Sequence, residues 1–103
     1  MSYNNLWLFI SLKKADDGKH KYIVVIKNKE TGREKTIRFG AYGMSDYTQH
    51  KDLKRKSNYD ARHIVRENWT DPTTAGFWSK WILWNKPTIE QSLKDTINKF
   101  HLI

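Results

Sequence analysis

The first forty residues alternate in polarity with a period of two, which is typical of β-strands. Residues 5–13, 21–27 and 33–39 each fit one strand, and KYIVVIK in the middle is dominated by β-branched and aromatic residues. The intervening segments 14–20 and 28–32 are polar and each contains a glycine, as turns do. Since short connections join antiparallel neighbours, the pattern predicts a three-stranded antiparallel β-meander.

The faces of these strands differ in polarity. Residues 5–13 are mostly apolar on both faces, which predicts a strand that is covered on both sides. In residues 33–39, Lys35, Ile37 and Phe39 share one face and the other face is polar. That strand is therefore predicted to be half solvated or to lie at an edge.

After Phe39 the spacing of apolar residues becomes that of helices. Ser45 is a candidate N-cap for a helix over residues 46–56, and a second helical piece follows over 58–68. One long helix kinked near Ser57 and Asn58 is the alternative. The first helix has only Tyr47 and Leu53 as apolar residues. The second is expected to bury Ala61, Ile64 and Val65, with Trp69 as a further candidate.

The Trp-rich stretch predicts a third helix, over residues 72–84. Asp71 would be its N-cap and Pro72 its first helical residue. On a helical wheel its aromatic residues cover a wide arc, which predicts a central helix with Leu83 on the opposite side and Lys80 on a polar edge. The core interpretation of Trp78, Trp81 and Trp84 is favoured over a ligand cage.

Residues 88–100 predict an amphipathic helix, with Thr88 as its N-cap and Gln91 completing a capping box. Its apolar stripe is Ile89, Leu93, Thr96, Ile97 and Phe100. Three strands followed by three or four helices predict an α+β fold, with the helices packed on one face of the sheet. The length of 103 residues fits one domain, 1–103.

Charge narrows the range of functions. The chain has 19 Lys and Arg against 11 Asp and Glu, a net charge of +8, which favours a polyanionic partner, most often nucleic acid. The alternative is that the charge serves solubility alone. The absence of cysteine excludes disulfides, cysteine-ligated zinc and thiol catalysis. No stretch reaches the ~20 apolar residues of a membrane span, and residues 6–10 make a poor signal peptide, so neither a membrane nor secretion is expected.

The segment 44–69 concentrates the cations, and we expect it to lie across a core built by its flanks. Arg62 and Arg66 are spaced i,i+4, where like charges repel each other, and a bound anion would relieve that repulsion. Four to six phosphate contacts on duplex DNA predict a log–log salt slope of roughly −3.6 to −5.4. Tyr47 and Tyr59 are candidates for stacking on the bases of a single strand or for hydrogen bonding to phosphate. The candidate nucleic-acid-binding residues are Tyr47, His50, Lys51, Lys54, Arg55, Lys56, Tyr59, Arg62, His63 and Arg66.

Two other interpretations of this segment stay open. Asp52, Asp60 and Glu67 lie among the cations, and so the segment can also be an ordinary solvated helix face. The order His50, Asn58, His63 is similar to that of His-Asn-His metal nucleases, although the spacing is tight and no strand pair encloses it. No Gly-rich phosphate loop and no Ser–His–acid set is present, and no cofactor or resident metal is expected.

From Phe39 onward, several short blocks carry a resemblance to a known family. They include Phe39-Gly40-Ala41, Ser45-Asp46-Tyr47-Thr48, His50-Lys51-Asp52, Arg62-His63, Thr74-Ala75-Gly76-Phe77-Trp78-Ser79 and Leu83-Trp84-Asn85-Lys86-Pro87-Thr88. With them the chain resembles a family of small, basic, uncharacterised proteins encoded by large double-stranded DNA viruses, whose members tend to have more arginine around 56–65. The resemblance implies a viral setting, in the virion or in the cytoplasm or nucleus of an infected cell. DNA is then the favoured nucleic acid, and the alternative is a virion structural or adaptor protein that binds acidic viral proteins.

Overall fold

The protein begins with a three-stranded sheet. The computed structural model describes residues 6–103, so the predicted start of the first strand at Asn5 lies outside the described residues. Strands β1 (Trp7–Lys14), β2 (His20–Asn28) and β3 (Glu34–Ala41) pair antiparallel in the order β1-β2-β3. The predicted meander is confirmed.

A β-bulge shifts the alternation within β1. The register changes between Phe9 and Ser11, so that Ile10 is an extra residue without a partner on β2. Trp7 and Phe9 before the bulge and Leu12 after it all pack against the core. Ile10 is 41% exposed, and the expectation that both faces of this strand are covered is wrong at that position.

Four α-helices follow the sheet. They are α1 (Tyr47–His50), α2 (Leu53–His63), α3 (Ala75–Trp78) and α4 (Ile89–Phe100), and a π-helical turn, Ser79–Leu83, continues α3 directly. The predicted α+β class is confirmed, with all three strands preceding all the helices. Within residues 6–103, no helix is long and apolar enough to cross a membrane.

The Trp-rich segment folds differently from the predicted helix over 72–84. Asp71 accepts hydrogen bonds from the Thr73 backbone N–H at 3.0 Å and from the Thr73 hydroxyl at 2.6 Å, which closes a turn. Thr74 is the actual N-cap, with its hydroxyl accepting from the Phe77 backbone N–H at 3.2 Å. The helix therefore begins three residues later than predicted.

The π-helical turn explains why Lys80 and Leu83 are both buried. A π-helix has more residues per turn than an α-helix, so it rotates the residues that follow relative to an α-helical wheel. Leu83 is brought toward the core and lies against Gly40 of β3, where a Cβ would be only 2.8 Å from its Cδ1. The predicted outward position of Leu83 and the polar-edge position of Lys80 are thus wrong.

The core lies between the sheet and the helices. Val24 and Ile26 of β2 and Ile37 and Phe39 of β3 contribute the sheet side. On the helical side, Trp78 is fully buried and donates its indole N–H to the Pro72 carbonyl at 2.8 Å, and it belongs to the same hydrophobic cluster as Phe77, Ile82, Leu83, Phe100 and Leu102. The interpretation of Trp78 as core is confirmed, and Trp81 and Trp84 pack against the core while only partly buried.

Helix α4 follows its sequence prediction closely. Thr88 caps it by accepting from the Gln91 backbone N–H at 3.1 Å. The Gln91 side chain accepts from the Thr88 hydroxyl at 3.2 Å instead of the Thr88 backbone N–H, so the predicted capping box is incomplete. The predicted stripe of α4 packs on the core, with Thr96 fully buried, and Ser92 beside the stripe is also fully buried. After the helix, Leu102 returns to the sheet and its carbonyl accepts from the Phe9 backbone N–H at 2.8 Å. This contact covers part of the outer edge of β1.

Candidate nucleic-acid interface

Helix α1 is a single turn that positions the start of the basic segment. Asp46, rather than the predicted Ser45, is its N-cap: the carboxylate accepts from the Thr48 backbone N–H, and the Gln49 side chain accepts from the Asp46 backbone N–H. This is a complete capping box with Asp as the cap. Lys51 ends the turn in the left-handed conformation, at φ 55°.

Helix α2 begins immediately afterwards. The Asp52 carboxylate accepts from the backbone N–H groups of Lys54, at 3.0 Å, and Arg55, at 3.3 Å. The Asp52 backbone N–H in turn donates to Nδ1 of His50 at 3.0 Å. The chain therefore breaks at Lys51 and Asp52, not near residue 57 as predicted, and α2 ends at His63 instead of 68.

One side of α2 is fixed to the core by stacked rings. Tyr59 is 7% exposed and lies between His63, with ring centroids 4.1 Å apart, and Trp84, at 4.3 Å and nearly parallel. Burial raises the pKa of the Tyr59 phenol, and the neighbouring carboxylates of Glu67 and Asp60 raise it further. The phenol is accordingly neutral throughout the physiological range.

An ion pair holds the same side of the helix. Lys80 of the π-helical turn is buried and donates from Nζ to Asp60 of α2 at 2.9 Å and to the Trp84 carbonyl at 3.3 Å. Its ammonium group lies 5.1 Å from the ring centroid of Trp69 and 5.3 Å from that of Trp81. Desolvation lowers the pKa of Lys80, and the Asp60 carboxylate opposes that shift.

The two members of this pair should respond unequally to mutation. Asp60→Asn leaves the buried Lys80 ammonium without its counter-charge, and we expect a loss of roughly 2–4 kcal/mol in the free energy of unfolding. Lys80→Met puts a thioether of similar length against the Trp rings and leaves Asp60 half-exposed to water, so we expect a change within about 1 kcal/mol. Urea denaturation of both variants measures the difference. An equal or larger loss for Lys80→Met would contradict this account.

The other flank of α2 carries exposed cations. At 100° per residue, Arg55 and Arg62 project within about 20° of each other, and Lys54 lies within an arc of about 100° from Arg55. Lys51 precedes the helix and Arg66 follows it in a turn, and all five side chains are exposed. We refer to this set as the α2 cations: Lys51, Lys54, Arg55, Arg62 and Arg66.

The carboxylates of the same segment are engaged elsewhere. Asp52 caps α2, Asp60 pairs with Lys80, and Glu67 accepts from Nδ1 of His63 at 3.3 Å and from the Trp69 indole N–H at 2.9 Å. Within residues 6–103, no ion pair shorter than 4.0 Å includes any of the α2 cations. The acidic residues therefore offset the net charge of the segment but do not cover these side chains.

The remaining candidate residues do not lie among the exposed α2 cations. Tyr47 and Tyr59 are both 7% exposed, so neither ring is accessible for stacking on a base, which corrects that part of the hypothesis. His50 packs against Trp84 with 5.4 Å between ring centroids. Lys56 is half-buried, with its Nζ 3.8 Å from the Asp60 carboxylate, on the anchored side of the helix.

The geometry opposes a metal site shared by His50 and His63. His63 and Trp84 stack on opposite faces of Tyr59, and His50 lies beyond Trp84. Two rings thus separate the two imidazoles, and Nε2 of His50 is buried without a hydrogen-bond partner. In the part of the chain from residue 6 onward, no group of three or more metal-ligating side chains converges. The nuclease hypothesis loses the shared site on which it depended.

Sequence reasoning missed Lys80 and the pairing of His63 with Glu67. The i,i+4 spacing of His63 and Glu67 was a usable signal for a helical pair. The contact of Lys80 with Asp60 spans 20 residues and depends on the π-helical turn, so no local pattern indicated it.

The fold and the site define a small α+β protein with an exposed basic helix flank. The chain belongs to a family of unknown function, DUF5754, whose model matches residues 10–63. The matched region covers most of β1 and all of β2, β3, α1 and α2. It therefore includes four of the α2 cations and stops before the Trp-rich segment. No curated protein and no solved structure matches the chain.

Proposed function

We propose that this protein binds nucleic acid, DNA in preference to RNA, through phosphate contacts made by the α2 cations. One observation carries the proposal: the cations of this segment are exposed and without carboxylate partners, whereas its carboxylates are used for capping and core pairing. A flank of this kind has a positive potential that a polyanion lowers. The net charge of +8 acts in the same direction at longer range.

The expected mode of binding is largely independent of base sequence. Arg55 and Arg62 project in nearly the same direction two helical turns apart, about 10 Å along the axis, so separate phosphates of one backbone can neutralise the two guanidinium groups. Lys51 and Arg66, beyond the two ends of α2, extend the contact along the phosphate backbone. Phosphate contacts position a protein on nucleic acid and carry no base information by themselves.

The resemblance to small proteins of large double-stranded DNA viruses supports a viral setting for this activity. In that setting the nucleic acid is the viral genome, and the protein is located in the virion or in the cytoplasm or nucleus of the infected cell. These locations are part of the proposal and rest on the resemblance alone.

A second candidate function is that of a virion structural or adaptor protein that binds an acidic viral protein. The observation that favours it is apolar exposure beside the cations: Leu53 is 70% exposed, Ile64 59% and Val65 80%. The sequence pattern had predicted that Ile64 and Val65 would be buried, which is wrong. Exposed apolar side chains next to cations are a typical combination at protein interfaces and contribute nothing to phosphate binding.

A salt titration tests the proposal. We expect a short DNA duplex to bind at about 50 mM salt and to weaken with a log–log slope no steeper than about −4.5, since up to five cations can contact phosphates. Fluorescence anisotropy of a labelled duplex measures both quantities, and polyglutamate serves as the second polyanion. Absence of duplex binding at that salt concentration would overturn the proposal, and binding of polyglutamate alone would favour the adaptor function.

A further inference from the structure

A cavity of about 390 Å³ lies between the loop after β3, the C-terminal part of α2 and the Trp-rich segment. Ala41, Met44, Leu83 and Trp84 give it apolar walls. Its polar lining includes His63 and Ser79. This volume is in the range of sites that hold small organic ligands, which are mostly apolar with a few fixed polar groups.

The imidazole of His63 is fixed in one orientation. Glu67 is held by the Trp69 indole N–H at 2.9 Å and lies against Gly76, where a Cβ would be 2.9 Å from the Glu67 Cδ. Because a carboxylate only accepts, Nδ1 of His63 carries the proton and donates to Glu67 across 3.3 Å. Stacking on Tyr59 holds the ring plane. In the neutral ring, Nε2 is therefore left as a hydrogen-bond acceptor on a residue that lines the cavity.

The charges around the cavity select a neutral ligand. Its two carboxylates are both paired: Asp46 with Lys21, and Glu67 with His63. Neither carboxylate is free to attract a cation, and the Lys21 ammonium that could attract an anion is already neutralised. A neutral, planar heterocycle with N–H donors and ring acceptors matches apolar walls, an acceptor at Nε2 and a hydroxyl at Ser79.

We propose that this cavity holds one unstacked nucleobase of a strand whose phosphates lie on the α2 cations. The inference rests on the proposed nucleic-acid binding and deepens it. His63 and Arg62 are consecutive on α2 and project on either flank of Tyr59, so the cavity and the cations lie on neighbouring flanks of one helix. A strand that crosses α2 can reach both. Proteins that read a single base extrude it into a pocket of this kind, and an unpaired base has the lowest cost of extrusion.

The test compares three DNA duplexes that differ only at one central position: fully paired, with one unpaired adenine, or with an abasic residue there. We expect the intact protein to bind the unpaired-adenine duplex about tenfold more tightly than the abasic duplex, which corresponds to one fixed base contact. Ala75→Phe fills the mouth of the cavity from an exposed position in the first turn of α3. This variant should lose the tenfold preference and keep its affinity for the fully paired duplex.

A Glu67→Gln variant and a titration with free adenosine distinguish failure of the base pocket from failure of phosphate binding. Glu67→Gln can present an amide N–H to Nδ1 of His63, which moves the ring proton to Nε2 and should change which unpaired base binds best; ¹⁵N NMR of His63 reports the tautomer. Equal affinity for the unpaired and abasic duplexes would overturn the cavity proposal and leave phosphate binding intact. If no duplex binds, the protein is titrated with free adenosine and the NMR signals of the His63 ring are followed. Shifts that are lost in the Ala75→Phe variant support a free nucleoside as the ligand. The absence of any shift overturns the base pocket.

Discussion

Glutamine in place of Lys54, Arg55 and Arg62 is expected to weaken binding to duplex DNA about 10²- to 10³-fold near 0.1 M salt. Each phosphate contact contributes about 0.9 to the log–log salt slope, so the loss of three contacts should make the slope shallower by about 2.7. The substitutions leave the fold intact because all three side chains are exposed and make no ion pair among residues 6–103. Anisotropy titrations at several salt concentrations give both the affinity and the slope.

A matched control separates a local contact from net charge. Lys29→Gln, Arg33→Gln and Lys35→Gln remove the same number of charges from exposed positions in and beside the β2–β3 turn. We expect this variant to lose less than tenfold in affinity and to keep most of the slope, because only long-range attraction is reduced. Equal losses in the two triple variants would show that net charge, not the flank of α2, determines binding.

The sheet and α4 could be predicted because their signals are local. The glycine-containing turns and the alternation in β2 and β3 determine the meander, and the Thr88 cap with a regular apolar stripe determines α4. These segments need no knowledge of distant residues. The bulge at Ile10 is the exception. Residues 6–10 are all apolar, so one extra residue does not interrupt the pattern.

The Trp-rich segment was mispredicted because its helix changes type. An α-helical wheel assumes 3.6 residues per turn, and that assumption fails from Ser79 onward. The same change turns Lys80 inward to Asp60 and Leu83 onto Gly40. A buried lysine beside aromatic rings cannot be inferred from polarity alone, because its partner lies on another helix.

The candidate site was predicted in part. The exposure of its cations follows from the local pattern of polar residues, and α2 does present Lys54, Arg55 and Arg62 to solvent. The aromatic residues depend on a distant partner: Tyr59 is buried because Trp84, 25 residues later, stacks on it. From the sequence alone, a tyrosine in a basic segment is therefore predicted to stack on bases, because the ring that buries it is known only from the fold.

Tyr59→Ala is expected to lower the free energy of unfolding by about 3 kcal/mol or more, the range for deleting a buried aromatic ring. The ring is 7% exposed, and its two faces contact His63 and Trp84. Without it, the ion pair between Asp60 and Lys80 is left as the main link between the middle of α2 and the core. Chemical denaturation measures the loss, and amide hydrogen exchange reports whether α2 opens before the sheet.

Tyr59→Phe is the matched control, because phenylalanine keeps both stacking faces and removes only the hydroxyl. We expect it to cost less than about 1 kcal/mol and to leave the affinity for a fully paired duplex unchanged, since the ring is not part of the phosphate contact. If the alanine variant loses less than about 1 kcal/mol, ring stacking does not anchor α2. A loss from Tyr59→Phe as large as that from alanine would instead assign the stability to the hydroxyl. The two variants together thus determine whether the helix that carries the cations is held by ring packing, by a polar contact, or by its ion pair.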